Sequence, residues 1–195
     1  MGRAVGTRSE AWARLVREIE ACRACPLGST RRRAVVYRGG ERPRVLFVGE
    51  APGRQEDETG RPFVGRSGAR LDAAIERLDL APDSVGVLNV VKCHPPGNRL
   101  PLSSVSACRP FLERQLEILR PTTLVPLGRH ALRAVAPDAP PILEASGRPI
   151  RTPLGPAFPL LHPAAALRSR RWAERWDRDV GALGAWLRSP GSETL

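Results

Sequence analysis

The chain has 195 residues, 42% of them hydrophobic, which is enough to bury the core of one domain. No apolar run reaches the roughly 18 residues of a membrane-spanning helix, so we expect a cytoplasmic protein without a membrane partner. The formal net charge of +11 predicts an anionic partner, most commonly nucleic acid, because GC-rich coding explains arginine in place of lysine but not the excess of positive charge.

The predicted elements alternate between helices and strands. In chain order we predict a helix over 9–21 capped by Ser9, a strand over 44–49, a helix over 67–80, a strand over 84–91, a helix over 103–119, a strand over 122–127, a helix over 128–135, a strand over 157–161 and a helix over 170–187. The segments 22–33 and 50–65 between them are predicted loops. This alternation is typical of an α/β fold, here a three-layer sandwich with a central, mostly parallel four-stranded sheet flanked by helices. We expect one domain over 1–195, with the first helix and the cysteine loop at 9–33 and a core at 44–187.

The ends of the predicted strands carry the polar residues that a site needs. In a parallel sheet, ligands bind at the carboxyl ends of the strands. Glu50 follows the first strand and His162 the fourth, so we expect both in one crevice. Asparagine, lysine and histidine are rare in this chain, yet four of them crowd around the end of the second strand: Asn89, Lys92, His94 and Asn98. This crowding also indicates a site.

The four cysteines are spaced as metal ligands are. Cys22 and Cys25 form a C-x2-C pair, whose thiolates can reach one metal from a single turn, while Cys93 and Cys108 come from a strand end and a helix. A zinc ribbon would prefer two tight knuckles, and a thioredoxin-like dithiol would not need the second pair. Scattered ligands suit a cubane iron–sulfur cluster, which is bulky and held by four thiolates. The spacing favours such a cluster and leaves zinc and unrelated thiols open.

The segment 49–68, GEAPGRQEDETGRPFVGRSG, is the most specific part of the sequence. Gly49, Pro52 and Gly53 predict a tight turn whose backbone amides face an anion or a base edge. Phe63 stands in an otherwise polar loop, where it either anchors the loop in the core or contacts a ligand. Ser67 opens a helix, so the free amides of the first turn can bind a phosphate.

Five ordered segments and Cys108 carry a resemblance to a known family: CRACPL (22–27), VGEAPGRQEDETGRPFVGRSG (48–68), LNVVKCHPPGNRLP (88–101), VPLG (125–128) and LLHPAAALR (160–168). Together they resemble the family-four, thermophilic-type uracil-DNA glycosylases. The resemblance implies a base-excision-repair enzyme that flips uracil out of single- or double-stranded DNA and hydrolyses its N-glycosidic bond, leaving an abasic site. It also implies a structural [4Fe–4S] cluster held by Cys22, Cys25, Cys93 and Cys108. A monomer suits an enzyme that must scan DNA.

The resemblance further implies the roles of the site residues. Glu50 would position water or stabilise the sugar cation, and His162 would stabilise charge on the uracil oxygen. Phe63 would stack on the flipped base, and Asn89 would read its edge. The remaining substrate-binding positions would be Ala51 and Glu56. Glu56 would lie beside uracil C5, where it would help to exclude thymine.

The chain departs from the family at the residue that fills the gap left by the flipped base, which we call the wedge. After the HP motif the family usually has a bulky residue and then leucines, whereas this chain has alanine at 164–166. A wedge should be large and apolar, so Leu167 is the remaining candidate. We expect Leu167, Arg168 and the helix amides at Ser67 to contact DNA.

Two alternative functions stay open at this point. A related subgroup crosslinks to uracil DNA through a histidine on a basic inserted loop, but the loop after Cys93 here is HPPGNRLP, and Ala51 stands where that subgroup has Gln. The other alternative is a non-catalytic iron–sulfur module that binds DNA. Lys92 is the one lysine and directly precedes Cys93, so no Schiff base and no lyase activity are expected.

Overall fold

The fold is a six-stranded mixed sheet with helices packed on its two faces, and the computed structural model describes it for residues 7–190. The strands are β1 (Arg38–Gly39), β2 (Val45–Gly49), β3 (Val85–Asn89), β4 (Thr123–Pro126), β5 (Ile150–Thr152) and β6 (Gly155–Ala157). The helices of this part are α1 (Arg8–Ala21), α2 (Leu27–Thr30), α3 (Arg54–Thr59), α4 (Arg66–Arg77), α5 (Leu102–Leu119), α6 (Arg129–Val135), α7 (Ile142–Ala145), α8 (Pro163–Ala166) and α9 (Arg170–Leu187). No helix among the described residues is long and apolar enough to cross a membrane.

The strand order, β1-β3-β2-β4-β6-β5, places a parallel block at the centre. β2 pairs in parallel with β3 and β4, and β4 pairs in parallel with β6. All five residues of β2 are buried, as expected for a central strand covered on both faces. The carboxyl ends of these strands therefore open along one edge, where the segments after Gly49, Asn89 and Pro126 leave the sheet.

Two buried clusters form the core, one on each face of the sheet. On one face, Val45 and Phe47 of β2 pack with the apolar sides of α4 and α9. On the other face, Leu46 and Val48 pack with α5 and α6. The alternation along β2 follows from the two-residue period of a strand. A smaller cluster beneath α1, built on Leu15 and Ile19, joins the N-terminal helix to α5.

The predicted α/β architecture is confirmed, but the predicted four-stranded sheet is incomplete. The central parallel block does contain four strands, and two antiparallel edge strands, β1 and β5, extend it. These edge strands have only two and three residues, too few for a periodic pattern in the sequence. The fourth predicted strand, 157–161, is shifted: β6 ends at Ala157, and beyond it only Leu160 pairs, with Leu127.

The long helices lie close to their predicted ranges, and α9 matches its range at both ends. The N-cap of α1 is Thr7 and not Ser9, because the Thr7 hydroxyl and the Glu10 carboxylate form a reciprocal capping box. The segment 50–65 is not wholly a loop, since it contains α3, and the segment 22–33 contains α2. Of the predicted domain 1–195, residues 1–6 and 191–195 lie outside the described part.

Candidate active site

A cleft of about 700 Å³ opens at the carboxyl ends of the parallel strands. It brings together eight of the residues predicted from the sequence: Glu50, Ala51, Glu56, Phe63, Ser67, Asn89, His162 and Arg168. Ten further residues complete its lining: Pro52, Gly53, Pro95, Asn98, Gly128, Arg129, Ile142, Leu161, Ala164 and Ala165. Gly128 ends the VPLG segment that carries the family resemblance, whereas Arg129, the residue that follows it, was not among the predicted residues.

Asn89 and Phe63 meet above Gly49 at the base of the cleft. A Cβ atom on Gly49 would lie 2.2 Å from Asn89 Oδ1 and 2.5 Å from Phe63 Cζ, so only glycine permits this arrangement. Asn89 is 1% exposed, and its Oδ1 is buried without a hydrogen-bond partner among the described residues. Buried polar atoms are nearly always satisfied, so this oxygen is available to accept a hydrogen bond from a ligand in the cleft.

The loop that carries Phe63 is fixed by a buried carboxylate. Phe63 has a left-handed backbone with φ 55°, a conformation that a bulky residue rarely adopts. Glu56 of α3 is 7% exposed, and its Oε1 accepts hydrogen bonds of 2.8 Å from the amides of Val64 and Gly65. These two bonds hold the residues that follow Phe63, and the Phe63 ring stacks on the His162 ring with centroids 5.9 Å apart.

His162 presents a defined tautomer to the cleft. Its Nδ1 accepts a hydrogen bond of 3.2 Å from the amide of Ala164 at the start of α8, so the proton of the neutral ring is on Nε2. Burial, assisted by the Arg168 guanidinium and opposed by Glu56, lowers the pKa of His162 to about 4. Near neutral pH the ring is therefore uncharged, with Nε2–H as a hydrogen-bond donor.

A buried network outside the cleft fixes the backbone that leads to His162. The Ser146 hydroxyl donates to Asp179 Oδ2 at 2.8 Å and accepts from the amide of Leu161 at 3.1 Å. Ser146 and Asp179 are each 6% exposed, and Arg175 lies 3.5 Å from the Asp179 carboxylate. Helix α9 thereby controls the position of the residue before His162. The sequence analysis gave no sign of this network, since its members are far apart along the chain.

Glu50 has few partners at its position after β2. Its Oε1 lies 3.9 Å from His130 Nε2, but that nitrogen accepts a hydrogen bond of 3.1 Å from Arg129 Nε and so cannot donate to the carboxylate. Among residues 7–190 no side chain forms a hydrogen bond with the Glu50 carboxylate. His94 Nδ1 lies 2.9 Å from the carbonyl oxygen of Pro52, and this contact joins the loop after β3 to the turn after β2.

The rim of the cleft carries the residues expected to contact DNA. Ser67 is the second residue of α4, whose first turn has no side-chain cap. Arg168 is exposed and lines the cleft. Leu167 follows α8 and is 43% exposed, but it does not line the cleft itself. A leucine exposed to this extent beside a cleft is placed to contact a ligand larger than the cleft.

The four cysteines line one small cavity beside the loop after β3, together with Arg31 and Lys92. All four are free thiols; Cys93 and Cys108 are buried, and Cys22 and Cys25 are half-buried. Arg31 Nη1 donates to Cys93 Sγ at 3.0 Å. Within residues 7–190 no set of three or more His, Cys, Asp or Glu side chains is arranged around a single ion. A cluster lies between its ligands and holds them farther apart than one ion does, so four thiols around one cavity are the pattern a cluster needs.

Lys92 supplies an independent test of that cavity. Its side chain is 1% exposed, and its Nζ donates to the backbone oxygen of Asn89. No carboxylate in the described part of the chain forms an ion pair with it. Burial lowers the pKa of Lys92 to about 7, and negative charge on Cys108 and Cys93 opposes that shift. A buried ammonium needs an anionic neighbour, and thiolates that held a cluster would supply one, so the donor set fits a cluster.

Comparison with known proteins finds relatives over most of the chain. Residues 36–180 match the family model of the uracil DNA glycosylase superfamily. The chain is 40% identical over 167 residues to the type-4 uracil-DNA glycosylase of Thermotoga maritima, covering 84% of this chain and 87% of that protein. It is 40% identical over 160 residues to the type-4 enzyme of Sulfurisphaera tokodaii, covering 77% and 73% of the two chains. Over 122 residues it is 44% identical to the type-4 enzyme of Archaeoglobus fulgidus, covering 62% and 61%.

Proposed function

Because the chain belongs to the uracil DNA glycosylase superfamily, we propose that it excises uracil from DNA in base excision repair. The enzyme extrudes the nucleotide into the cleft, since a base inside a duplex is out of reach. It then hydrolyses the bond between uracil N1 and the sugar C1′ and leaves an abasic site. The substrates are single- and double-stranded uracil-containing DNA, and the acting unit is a monomer.

The unpaired oxygen of Asn89 is the observation that carries this proposal. Uracil shows N3–H as a donor and O4 as an acceptor, and the Asn89 amide offers one acceptor and two donors. The buried Oδ1 then accepts from N3–H, and Nδ2 donates to O4. Cytosine reverses both groups and would leave the amide mispaired. Phe63 supplies the stacking surface for the base beside the Asn89 amide.

Glu50 and His162 act on opposite ends of the bond that breaks. The bonding electrons leave with uracil, so negative charge grows on the base and positive charge on the sugar. The Nε2–H of neutral His162 stabilises the uracil oxygen, and the Glu50 carboxylate stabilises the sugar and orients the water that adds to C1′. Each preorganised contact of this kind is typically worth roughly 3–4 kcal/mol.

Glu56 and Ala51 complete the pocket around the base. Two amide hydrogen bonds hold the Glu56 carboxylate in one place, so a methyl group on uracil C5 would meet a carboxylate that cannot swing away. Ala51 lines the same cleft next to Glu50 and leaves room for water. This arrangement favours uracil over thymine.

The reaction ends at base release, without cleavage of the strand. A lyase needs an amine that attacks C1′ and forms a Schiff base. Lys92 is the one lysine of the chain, and its amine is buried on the side of β3 that faces the cysteines. The product is therefore an intact strand with an abasic site.

We further propose that Cys22, Cys25, Cys93 and Cys108 hold a [4Fe–4S] cluster. The thiols surround one cavity, and the arginine and the lysine beside it match the negative charge of a cluster bound by four thiolates. Hydrolysis needs no electron, so the cluster's contribution is structural. It would tie the segment after α1 to the loop after β3, the strand that ends at Asn89.

The test is a cleavage assay with single-stranded and duplex oligonucleotides that contain one uracil. We expect free uracil in solution and a strand that breaks only after alkali treatment. DNA that stays attached to the protein under denaturing conditions would identify a crosslinking protein instead. Binding without uracil release would identify a non-catalytic module.

A further inference from the structure

A second groove, at the opposite end of α3 from the cleft, has the composition of a single-strand binding site. Its volume is about 600 Å³. Its lining includes four arginines, two aromatic rings and a single carboxylate, which are Arg23, Arg31, Arg32, Arg33, Trp12, Tyr37 and Glu20. A positive groove with aromatic side chains is the arrangement that tracks a nucleic-acid backbone and stacks its bases.

The arginines of the groove divide into two pairs. Arg31 is occupied by the Cys93 sulfur and the Glu20 carbonyl oxygen, and Arg23 donates to the carbonyl oxygens of Glu20 and Cys22. Arg32 and Arg33 are instead exposed, and the Arg32 side chain is 71% accessible with its nearest carboxylate, Glu58, at 3.9 Å. Arg32 and Arg33 are therefore the pair available to phosphate.

A buried carboxylate holds these two arginines against α3. Asp57 is 6% exposed and accepts hydrogen bonds from the amide of Arg32 at 3.0 and 3.1 Å and from the amide of Arg33 at 3.4 Å. The aromatic wall is also fixed, since Trp12 packs edge-on against Tyr37 with centroids 5.2 Å apart. The groove is thus preformed in the folded chain.

Helix α3 sets the distance between the groove and the cleft. Gly53 and Glu56, at its beginning, line the cleft, while Thr59 and Gly60, at its end, line the groove. Six helical residues span about 9 Å. A single strand that keeps the stacked rise of a B-DNA strand, about 3.4 Å per nucleotide, covers this distance in about three nucleotides.

We propose that this groove binds the single-stranded DNA that flanks the flipped uridine on one side. The inference rests on the proposed function, because the flank is the continuation of the substrate strand. The bases lie on the side of the groove formed by Trp12 and Tyr37, and the phosphates contact Arg32 and Arg33. The groove binds regardless of sequence and lengthens the footprint of the enzyme in one direction only.

Binding to single strands that carry 2′-fluoro-2′-deoxyuridine, whose glycosidic bond resists hydrolysis, tests the proposal. One flank is kept at three nucleotides while the other is extended from three to eight, in separate series for the 5′ and 3′ sides. We expect extension to tighten binding on one side and to have little effect on the other. Equal gains on both sides, or none on either, would overturn the proposal.

The double variant Arg32→Ala with Arg33→Ala identifies the groove as the source of that gain. It should lose the length dependence. The negative slope of log binding constant against log salt concentration should become shallower by about 1.4, at roughly 0.7 per phosphate contact. The control pair Arg42→Ala with Arg109→Ala removes the same charge elsewhere on the surface and should keep the length dependence. Identical behaviour of the two pairs would overturn the proposal.

Uracil release from an oligonucleotide with three nucleotides on each side tests the glycosylase activity separately, and the Arg32 and Arg33 variant should retain it.

Discussion

At the scale of single residues, we expect the recognition of uracil to depend on which atoms the Asn89 amide offers. An Asn89→Asp change replaces the donor to uracil O4 with an oxygen that repels it. Uracil release in single turnover should fall by roughly 10²–10³-fold, the usual effect of losing one such contact, while cytosine, whose amino group can donate to a carboxylate, becomes a better substrate. The control is Asn98→Asp, since Asn98 is the only other asparagine and lines the same cleft. Unchanged uracil kinetics in Asn89→Asp would refute the assignment.

The charge state of His162 gives a second prediction at this scale. Burial lowers its pKa from 6.5 to about 4, so NMR titration of the ring should show a midpoint near 4, assigned by comparison with His162→Gln. Below pH 4 the protonated ring loses the acceptor that caps α8. Between pH 6.5 and 4 the unfolded chain binds a proton that the folded chain excludes, so the free energy of unfolding should decrease as the pH falls through this window. A titration midpoint near 6.5 would contradict the burial of the His162 ring.

At the scale of the structural elements, α9 acts on the site through Ser146. A Ser146→Ala change removes the hydroxyl that joins Asp179 to the amide of Leu161 and leaves both groups buried without that partner. We expect the single-turnover rate to fall about tenfold with DNA affinity unchanged, because His162 is displaced while the DNA contacts remain. Ser104→Ala is a matched control, since Ser104 is fully buried and its hydroxyl has no partner among the described residues. Loss of stability without loss of rate would make the network purely structural.

We expect the segment after α8 to determine how the enzyme opens a duplex. Extrusion of a base costs a few kcal/mol in a duplex and least in a single strand, and Leu167 is the exposed apolar residue available to fill the gap. Leu167→Ala should reduce activity on a U·A duplex about tenfold and leave activity on single strands unchanged. The deficit should grow with salt, which screens the phosphate contacts of Arg168. Leu154→Ala removes an exposed leucine at the β5–β6 turn and serves as the control. Equal losses on both substrates would mean that Leu167 is not the wedge.

The sequence predicted the elements that are long enough to show a pattern of apolar residues. The central strands and the helices α4, α5 and α9 carry apolar residues at regular spacing, and the structure has them near the predicted ranges. Short elements depend on tertiary contacts that leave no local pattern. Helix α3, for example, is held by Glu56 and Asp57 through bonds to loops on both of its sides. The cleft was predicted from strand ends and motif, whereas the Ser146 network and the arginine groove required the folded chain.

At the scale of the whole molecule, we expect the proposed cluster to join the segment after the N-terminal helix to the sheet. With Cys25→Ala, the cluster should lose a ligand, and the segment after α1 should lose its tie to the β3 loop. We expect a loss of iron and a fall in Tm of roughly 10 °C, as about 3 kcal/mol would produce at this size. Ser29→Ala, in the same segment, is the control. Zinc without iron in protein purified anaerobically would contradict the cluster, and an unchanged Tm would contradict its structural role.

Lys92 has a chemical consequence beyond its place beside the cysteines. The positive charges on the surface of residues 7–190 all belong to arginine, which keeps its proton and does not react with acylating reagents. Such reagents therefore find no lysine amine on the folded surface, and they reach Lys92 only when the core opens. The rate at which this one side chain is acylated therefore measures how often the core opens, and it measures this in the loop between Asn89 and Cys93.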